Sequence, residues 1–349
     1  MGDIDPRPAQ EGAVALRFTR DGLKLWVHTI YPGVLIALIV AIAARFLSEH
    51  YGGPTMLFAL LLGMAFNFLS EGGRCAPGIS LASSQVLRLG VALLGLGLTV
   101  DQVVAYGLET VLLVAGSVLL TLGSGLVFSR LLGRGWRLGL LTGGAVGICG
   151  ASAALAIASV LPKNAYSERN TIFTVIAVTT LSTLAMVVYP VIATVLGLDH
   201  TQSGIFFGAT IHDVAQVVGA GYSVSDEAGN TATFVKMLRV SMLLPIVAGF
   251  AFLFRNHEGR ESSGPLPVPW FVIAFALLVA LGSLDGFPEA ARQPVLDLSR
   301  WCLVVAISAL GMKTSLKALS DVGGQAIALI CGETLFLAAL ILGALALGW

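Results

Sequence analysis

Apolar blocks of about twenty residues recur along this sequence from Ile30 to the C-terminus, separated by glycines, prolines and short polar turns. A helix needs about this length to cross the hydrocarbon core of a bilayer. Strands of a membrane β-barrel would instead alternate apolar and polar residues, and these blocks do not. Only 11% of the 349 residues are charged and the mean hydropathy is +0.88, whereas soluble domains are roughly 25% charged. The sequence therefore predicts an all-α polytopic membrane protein.

Eleven transmembrane helices are predicted, at residues 30–47, 54–70, 80–100, 108–131, 138–161, 171–196, 202–222, 229–254, 268–284, 295–314 and 323–348. Glycines interrupt the fifth and the seventh. This path places twelve loop Lys and Arg residues on the side of the N-terminus and four, Arg45, Lys163, Arg169 and Arg292, on the other side. Because cytoplasmic loops are enriched in Lys and Arg, we expect a multi-pass inner-membrane protein with a cytoplasmic N-terminus and an external C-terminus.

The N-terminal 28 residues differ from the rest of the chain. They carry Pro6, Pro8 and mixed charges, and they lack the apolar core and cleavage site of a signal peptide. They are predicted to form a cytoplasmic tail, in which residues 13–28 form an interfacial amphipathic helix. Residues 29–349 are predicted to form a single transmembrane domain.

Two segments of the chain resemble each other. LRLGVALLGLGLTVDQV begins at Leu87 and SRWCLVVAISALGMKTSL begins at Ser299, and each has an Arg at its start and a Leu-Gly-hydrophobe triplet near its end. They fall in the third and tenth predicted helices, which would run in opposite directions. Inverted repeats of this kind are typical of secondary transporters.

Composition and motifs exclude several classes of function. The net charge is zero, so there is no electrostatic case for nucleic-acid binding. The four cysteines are scattered without a CxxC pair and read as small hydrophobes, so neither a disulfide framework nor a metal site is expected. No GxxxxGK[ST] loop is present for ATP, and no nucleophile–base pair indicates an enzyme. No cofactor is expected.

The fifth predicted helix contains four glycines in eight residues, each of which costs a regular helix roughly 0.8–1 kcal/mol relative to Ala. One interpretation is close helix packing, because small residues line membrane helix interfaces. The other is a broken helix at residues 147–150, after which a new helix opens. The free N–H groups of Gly150, Ala151 and Ser152 would then point to the centre of the bundle and suit an anion.

Ionisable residues within membrane helices are costly and usually functional. His212 and Asp213, with Gln216 three residues later, form a candidate site for a proton or a coupling cation. His212 would gain charge as the pH falls below an ordinary pKa of roughly 6.5. Asp213 is equally well interpreted as a fixed counter-charge for Arg88 or Lys236.

Lys236 and Arg239 lie on one helix face and suit an oxyanion, because two like charges repel unless an anion lies between them. The alternative is that they pair with Asp213 or Glu333 and hold the bundle together. Arg88, Arg300 and Glu333 are candidate supporting charges. The alternative for each Arg is that it marks a membrane boundary, and Glu333 is expected to pair.

Several of these segments resemble those of a known family. GICGASAALAIASVLP and GATIHDVAQVVGAG, followed by VKMLRV and LGMKTSL, are similar to segments of the YeiH family of sulfate exporters, in the bile acid/arsenite/riboflavin transporter superfamily. The resemblance covers nearly the whole chain from about Tyr31. It implies a fold like that of bile-acid symporters and sodium/proton antiporters, with interleaved panel and core subdomains and discontinuous helices that cross at the centre. Many relatives carry Glu where this chain has Asp213, which keeps the charge.

The sequence and the resemblance together predict a secondary transporter in the lipid bilayer. It would export a small anion, such as sulfate, sulfite or a related sulfur oxyanion, by alternating access coupled to a proton or a cation. An alternative is a Na⁺- or H⁺-coupled symporter of an organic anion, and an anion channel is less favoured. The sequence leaves a homodimer open.

Overall fold

The computed structural model describes residues 20–105, 107–254, 270–284, 288–314 and 324–348. Every regular element within these ranges is helical, so the all-α class is confirmed. Seven of the described helices are long and apolar enough to cross a membrane, and four shorter apolar helices accompany them. The first nineteen residues lie outside the described part, and residues 20–28, predicted as part of an interfacial helix, belong to the first long helix.

In chain order the helices are α1 (Arg20–Tyr51), α2 (Thr55–Ala65), α3 (Ala76–Leu81), α4 (Leu87–Leu94), α5 (Val100–Ala105), α6 (Gly107–Leu131), α7 (Trp136–Gly147), α8 (Ala151–Val160), α9 (Ser167–Val195), α10 (His200–Thr210), α11 (Val214–Val224), α12 (Asp226–Ser241), α13 (Leu243–Leu253), α14 (Trp270–Gly282), α15 (Glu289–Lys313) and α16 (Gly324–Ala346). A π-helical turn, Ala82–Val86, joins α3 to α4.

The helices pack in two groups. The scaffold group comprises α1–α4, α14 and α15, and the core group comprises α6–α13 and α16. Glycines bring helix backbones together within each group, as is common in membrane bundles. In the scaffold, a Cβ atom at Gly63 would lie 2.3 Å from Ser308 O, and in the core a Cβ atom at Gly125 would lie 2.3 Å from Gly139 O.

The two segments that resemble each other are in contact. Ser299 Oγ on α15 donates to Gly90 O on α4 at 2.6 Å. A Cβ atom at Gly97, further along the chain, would meet Leu296, which precedes Ser299. The two helices are therefore antiparallel, the orientation that the sequence predicted.

A helical hairpin forms from α7 and α8. Helix α7 ends at Gly147, and α8 begins at Ala151. A Cβ atom at Gly144 would lie 2.1 Å from Ile157 Cδ1, so the two helices lie side by side. Arg137 at the start of α7 and Pro162 just after α8 line the same crevice. The chain thus enters and leaves this first hairpin at one end of the bundle.

A second hairpin forms from α10 and α11. Thr201 Oγ1 at the start of α10 donates to Glu227 Oε1 at the start of α12, at 2.9 Å. Helix α11 ends at Val224, and a single residue, Ser225, separates it from the start of α12. The start of α10 and the end of α11 therefore lie at the same end of the bundle.

The two hairpins enter the bundle from opposite ends. Trp136, the first residue of α7, stacks on Phe254 at the end of α13, with ring centroids 5.1 Å apart. The other end of the α12–α13 segment, Asp226, lies beside the second hairpin. Because Asp226–Leu253 is a 28-residue apolar span, the two entry points are separated by the length of a membrane-crossing helix.

The break at residues 147–150 follows the broken-helix interpretation, whereas the second break, at residues 211–213, contains no glycine. The chain reverses direction at each break, which the sequence did not predict. The fifth and seventh predicted helices are hairpins of helices only 10 to 12 residues long. Such helices span about 15–18 Å, roughly half the hydrocarbon thickness. Hydropathy alone does not separate one crossing from two half-crossings of the same total length.

Candidate functional site

The hairpins meet at their tips, defined here as residues 148–150 (first tip) and 211–213 (second tip). A Cβ atom at Gly150 would lie 3.5 Å from His212 O. The C-terminal ends of α7 and α10 and the N-terminal ends of α8 and α11 therefore converge within the core group. Each helix end carries unpaired backbone groups and a partial charge, negative at a C-terminus and positive at an N-terminus.

Lys236 on α12 is fully buried between the two tips. Its Nζ donates to Ile148 O at 2.9 Å, to Ile211 O at 3.0 Å and to His212 O at 2.5 Å. All three ammonium hydrogens are thus directed at main-chain carbonyls.

Arg239, one turn further along α12, is also fully buried and extends this pattern. Its guanidinium donates to Gly147 O at 2.9 Å and Val146 O at 2.7 Å on the first hairpin. It also donates to Gly208 O and Ile211 O on the second, both at 3.0 Å. Both cations therefore bridge the C-terminal ends of α7 and α10. Among the described residues, neither forms the pair with Asp213 or Glu333 that the alternative expected; their partners are main-chain carbonyls, and their part in anion binding stays a prediction.

The N-terminal end of α8 is open. Gly150 caps it with φ +63°, a conformation that side chains rarely adopt. The first hydrogen bond within the helix runs from Ala154 N to Gly150 O at 3.0 Å. The backbone N–H groups of Ala151 and Ser152 have no partner in the described part of the chain, and Ser152 is exposed. The N–H of Gly150, which the sequence predicted to be free, instead donates to Ala145 O at 2.8 Å. Of the three predicted N–H groups, those of Ala151 and Ser152 are the ones left open at this helix N-terminus.

The predicted coupling residues line the second tip. Asp213 is the N-cap of α11; its N–H donates to Ser182 Oγ at 3.0 Å, and Lys236 and Arg88 are close enough to attract its carboxylate. His212 Nε2 lies 3.0 Å from Thr334 Oγ1. Gln216 Nε2 donates to Thr183 Oγ1 at 3.3 Å. The hydroxyl groups on α9 and α16 (Ser182, Thr183 and Thr334) were not part of the predicted site, because isolated Ser and Thr residues give no signal in an apolar helix.

Arg88 lies on α4 in the scaffold group and faces the core. It is half-buried and lies over the ring of Phe271 at 5.9 Å, with no ion pair or hydrogen bond among the described residues. It lies near the middle of the 22-residue Ala76–Gly97 helix, two residues after the π-helical turn, and not at an end of that helix. π-Helical turns are frequent at functional sites. The scaffold therefore carries a half-buried cation that has no ion pair among the described residues.

Arg300 lies away from the tips. Its exposed guanidinium pairs with Asp226 at 3.3 Å and Asp297 at 3.8 Å. These residues line a cleft of about 510 Å³ between scaffold and core, at the end where the second hairpin enters. Glu333 is fully buried on α16 and contacts Thr142 of the first hairpin.

Comparison with known proteins establishes the family. A family model described as conserved hypothetical protein 698 matches residues 32–330. A UPF0324 membrane protein of Chlorobaculum tepidum is 58% identical over 92% of this chain and 90% of its own length. The chain belongs to the UPF0324 membrane protein family.

Two further comparisons complete this result. The UPF0324 membrane protein TauZ of Paracoccus denitrificans is 52% identical over 90% of this chain and 94% of its own length. A sodium proton antiporter of Methanocaldococcus jannaschii covers 90% of this chain and 98% of its own at 13% identity and a TM-score of 0.27, and so weak a likeness carries no argument. These relatives establish a membrane protein and name no substrate, so the resemblance to sulfate exporters stays a prediction.

Proposed function

We propose that this protein is a secondary transporter that exports a small divalent anion, sulfate, sulfite or a related sulfur oxyanion, across the inner membrane. One observation carries the proposal: two hairpins from opposite ends of the bundle meet tip to tip, with cations on their C-terminal ends and open N–H groups on an N-terminal end. Half-helix N-termini in mid-membrane bind anions in secondary transporters.

The charge balance at the tips favours an anion of charge −2. Lys236 and Arg239 offset the partial negative charges of the two helix C-termini. The helix N-termini add partial positive charge, and Asp213 removes one unit. With about half a charge at each helix end, the two C-termini and the two N-termini cancel, and Asp213 cancels one of the two cations of α12. Arg88 then raises the remaining charge to about two positive units. Ala151, Ser152 and Arg88 are the proposed direct ligands, and Lys236 and Arg239 supply charge from behind them.

With the two hairpins, the distribution of Lys and Arg between the two sides supports a cytoplasmic N-terminus more strongly than it does with eleven crossings. Because the first hairpin returns to the end it entered, Lys163 and Arg169 move to the side of the N-terminus. Fourteen loop Lys and Arg residues then lie on that side and two, Arg45 and Arg292, on the other. We propose that the first hairpin enters from the cytoplasm and the second from outside, and that the cleft lined by Arg300 faces outwards.

Transport requires that the anion can reach the two tips first from one side of the membrane and then from the other. Lys236 and Arg239 bind both tips to α12, so the two hairpins and α12 move as one body. We propose that this core shifts against the scaffold, with Asp213 and Ser152 on the core and Arg88 on the scaffold. The proton or cation that drives the movement is also part of the proposal.

The test is anion flux into proteoliposomes that contain the purified full chain. Sulfate, sulfite and an organic sulfonate are compared at two pH values, with and without Na⁺. Arg88→Gln should abolish flux without lowering the melting temperature, whereas Arg130→Gln, an exposed cation on α6, should change neither. Ser152→Ala should weaken affinity about 2- to 13-fold, the loss of one hydrogen bond of about 0.5–1.5 kcal/mol.

Three results would contradict the proposal. Wild-type flux in Arg88→Gln and Ser152→Ala would place the anion elsewhere. Uptake of only the organic sulfonate, and only with Na⁺, would favour an organic-anion symporter. Single-channel currents would indicate an open pore in place of a carrier.

A further inference from the structure

Glu333 is a buried acid without a cation. It is fully buried on α16, and no described Lys or Arg lies within ion-pair distance of it. One carboxyl oxygen, Oε1, lies 2.7 Å from Thr142 Oγ1, and the other has no hydrogen-bond partner among the described residues. An ionised carboxylate in such a place would carry an uncompensated charge within the membrane. The sequence-based expectation of a paired Glu333 was therefore wrong for the described residues.

The hydroxyl of Thr142 shows where a proton would lie. Thr142 has one hydroxyl hydrogen and lies within hydrogen-bond distance of three acceptors, Leu138 O at 3.0 Å, Gly139 O at 3.5 Å and Glu333 Oε1 at 2.7 Å. If Glu333 is neutral, its O–H donates to Thr142 Oγ1, and Thr142 donates to Leu138 O. Both hydrogens then have an acceptor. If Glu333 is ionised, Leu138 O loses this donor and the charge has a single hydrogen bond.

Glu333 also lies between the two hairpins. Its partner Thr142 lies midway along α7, six residues after Trp136 and six residues before Ile148 at the first tip. Six residues correspond to about 9 Å along the helix axis. Its neighbour Thr334 contacts His212 at the second tip. A change of charge at Glu333 therefore acts on both hairpins.

The surroundings hold no competing group in contact with Glu333. The elements packed against α16 carry these titratable side chains: Glu109 and Arg130 on α6, Arg137 on α7, Glu168, Arg169 and Tyr189 on α9, His200 on α10, His212 at the second tip and Cys331 on α16 itself. None of them forms an ion pair with Glu333 in the ranges that the structure describes.

We propose that Glu333 carries an exchangeable proton and is the proton-coupling site of the transporter. This inference rests on the proposed function and assigns the driving ion that the proposal left open. Protonation keeps the first hairpin docked on α16 through Thr142, and proton release places a negative charge beside the hairpins and weakens that docking. Asp213, which lies beside Lys236 and Arg88, then serves as a counter-charge.

Infrared spectroscopy of the full chain in lipid nanodiscs tests the proton directly, without any anion. Wild type at neutral pH should show the C=O band of a protonated carboxylic acid that Glu333→Gln removes and Glu168→Gln, an exposed control, keeps. The band should shift in D₂O and vanish at high pH. Thr142→Val should move it to the higher frequency of a carboxyl without a hydrogen bond. Absence of the band, or a band that neither exchanges nor titrates, would overturn the proposal.

Proteoliposome flux tests the coupling. An imposed pH gradient should change the rate of sulfate or sulfite flux in wild type, and any flux that Glu333→Gln retains should not respond to the gradient. A Glu333→Gln variant that responds to the gradient like wild type would overturn the assignment while leaving the transporter intact. No flux in wild type for any anion would refute the proposed function, and the infrared result would still decide whether Glu333 holds a proton.

Discussion

Arg239 illustrates at the residue scale how a buried charge can serve the backbone. We expect Arg239→Met to lower the melting temperature sharply, because four carbonyls lose a donor and Ile211 O alone keeps one from Lys236. The cost is roughly 1–3 kcal/mol for each carbonyl left without a partner. Arg300→Met is the matched control, since its exposed ion pairs contribute at most about 1 kcal/mol. The measurement is the fraction of protein that remains monodisperse after heating in detergent, as a function of temperature. An Arg239→Met variant as stable as wild type would make Arg239 an anion ligand.

Asp213 gives a second prediction at this scale. Asp213→Asn removes the negative charge beside Lys236 and Arg88, so sulfate should bind several-fold more tightly and leave more slowly. Thermal shift at increasing sulfate concentration measures this affinity, because a bound ligand raises stability with its concentration. If Asp213→Asn binds sulfate with wild-type affinity and loses the response of flux to pH, the proton-coupling site would be Asp213 and not Glu333.

The sequence identified the residues of the site better than their partners. Gly150, Ser152, Asp213, Lys236 and Arg239 do converge on the hairpin tips. Ionisable residues and glycines are conspicuous in an apolar helix, which is why they could be found. The acceptors of Lys236 and Arg239 are main-chain carbonyls, which every residue has, so no pattern of side chains indicates them.

At the scale of elements, glycine contacts between α6 and α7 fix the position of the first hairpin. Gly125→Ala should lower the melting temperature, by a free energy of about 1–3 kcal/mol, because its Cβ would lie 2.3 Å from Gly139 O. Gly123, two residues away, has nothing within 4 Å of its Cβ. Gly123→Ala should therefore raise stability by up to about 1 kcal/mol through helix propensity. Equal melting temperatures for the two variants would show that α6 and α7 are not in close contact.

The hairpins also mark the limit of sequence reasoning at this scale. The glycines around residue 150 predicted a break correctly, and the free N–H groups after it follow from that break. Reversal of the chain depends on contacts such as Gly144 with Ile157, and of the start of α10 with the start of α12. These are tertiary contacts, and hydropathy contains no record of them.

At the scale of the whole molecule, the hairpins change which loops face the cytoplasm. In an otherwise cysteine-free variant, Tyr166→Cys should react with a membrane-impermeant maleimide only from the cytoplasmic side, and Leu196→Cys only from outside. Both side chains are exposed, at 64% and 54%. Eleven crossings would give the reverse result for both positions. Labelling in intact cells and in inverted vesicles distinguishes the two.

The dependence of both tips on α12 also has a consequence in time. Lys236 lies 88 residues after Ile148, and Arg239 lies 92 residues after Gly147. At a synthesis rate of about 5–20 residues per second, the first hairpin waits roughly 4–18 s before the ribosome has made its cations. During that interval its carbonyls have no side-chain donor from α12. The first hairpin therefore cannot complete its contacts when it is made, and it completes them only after α12 has been synthesised.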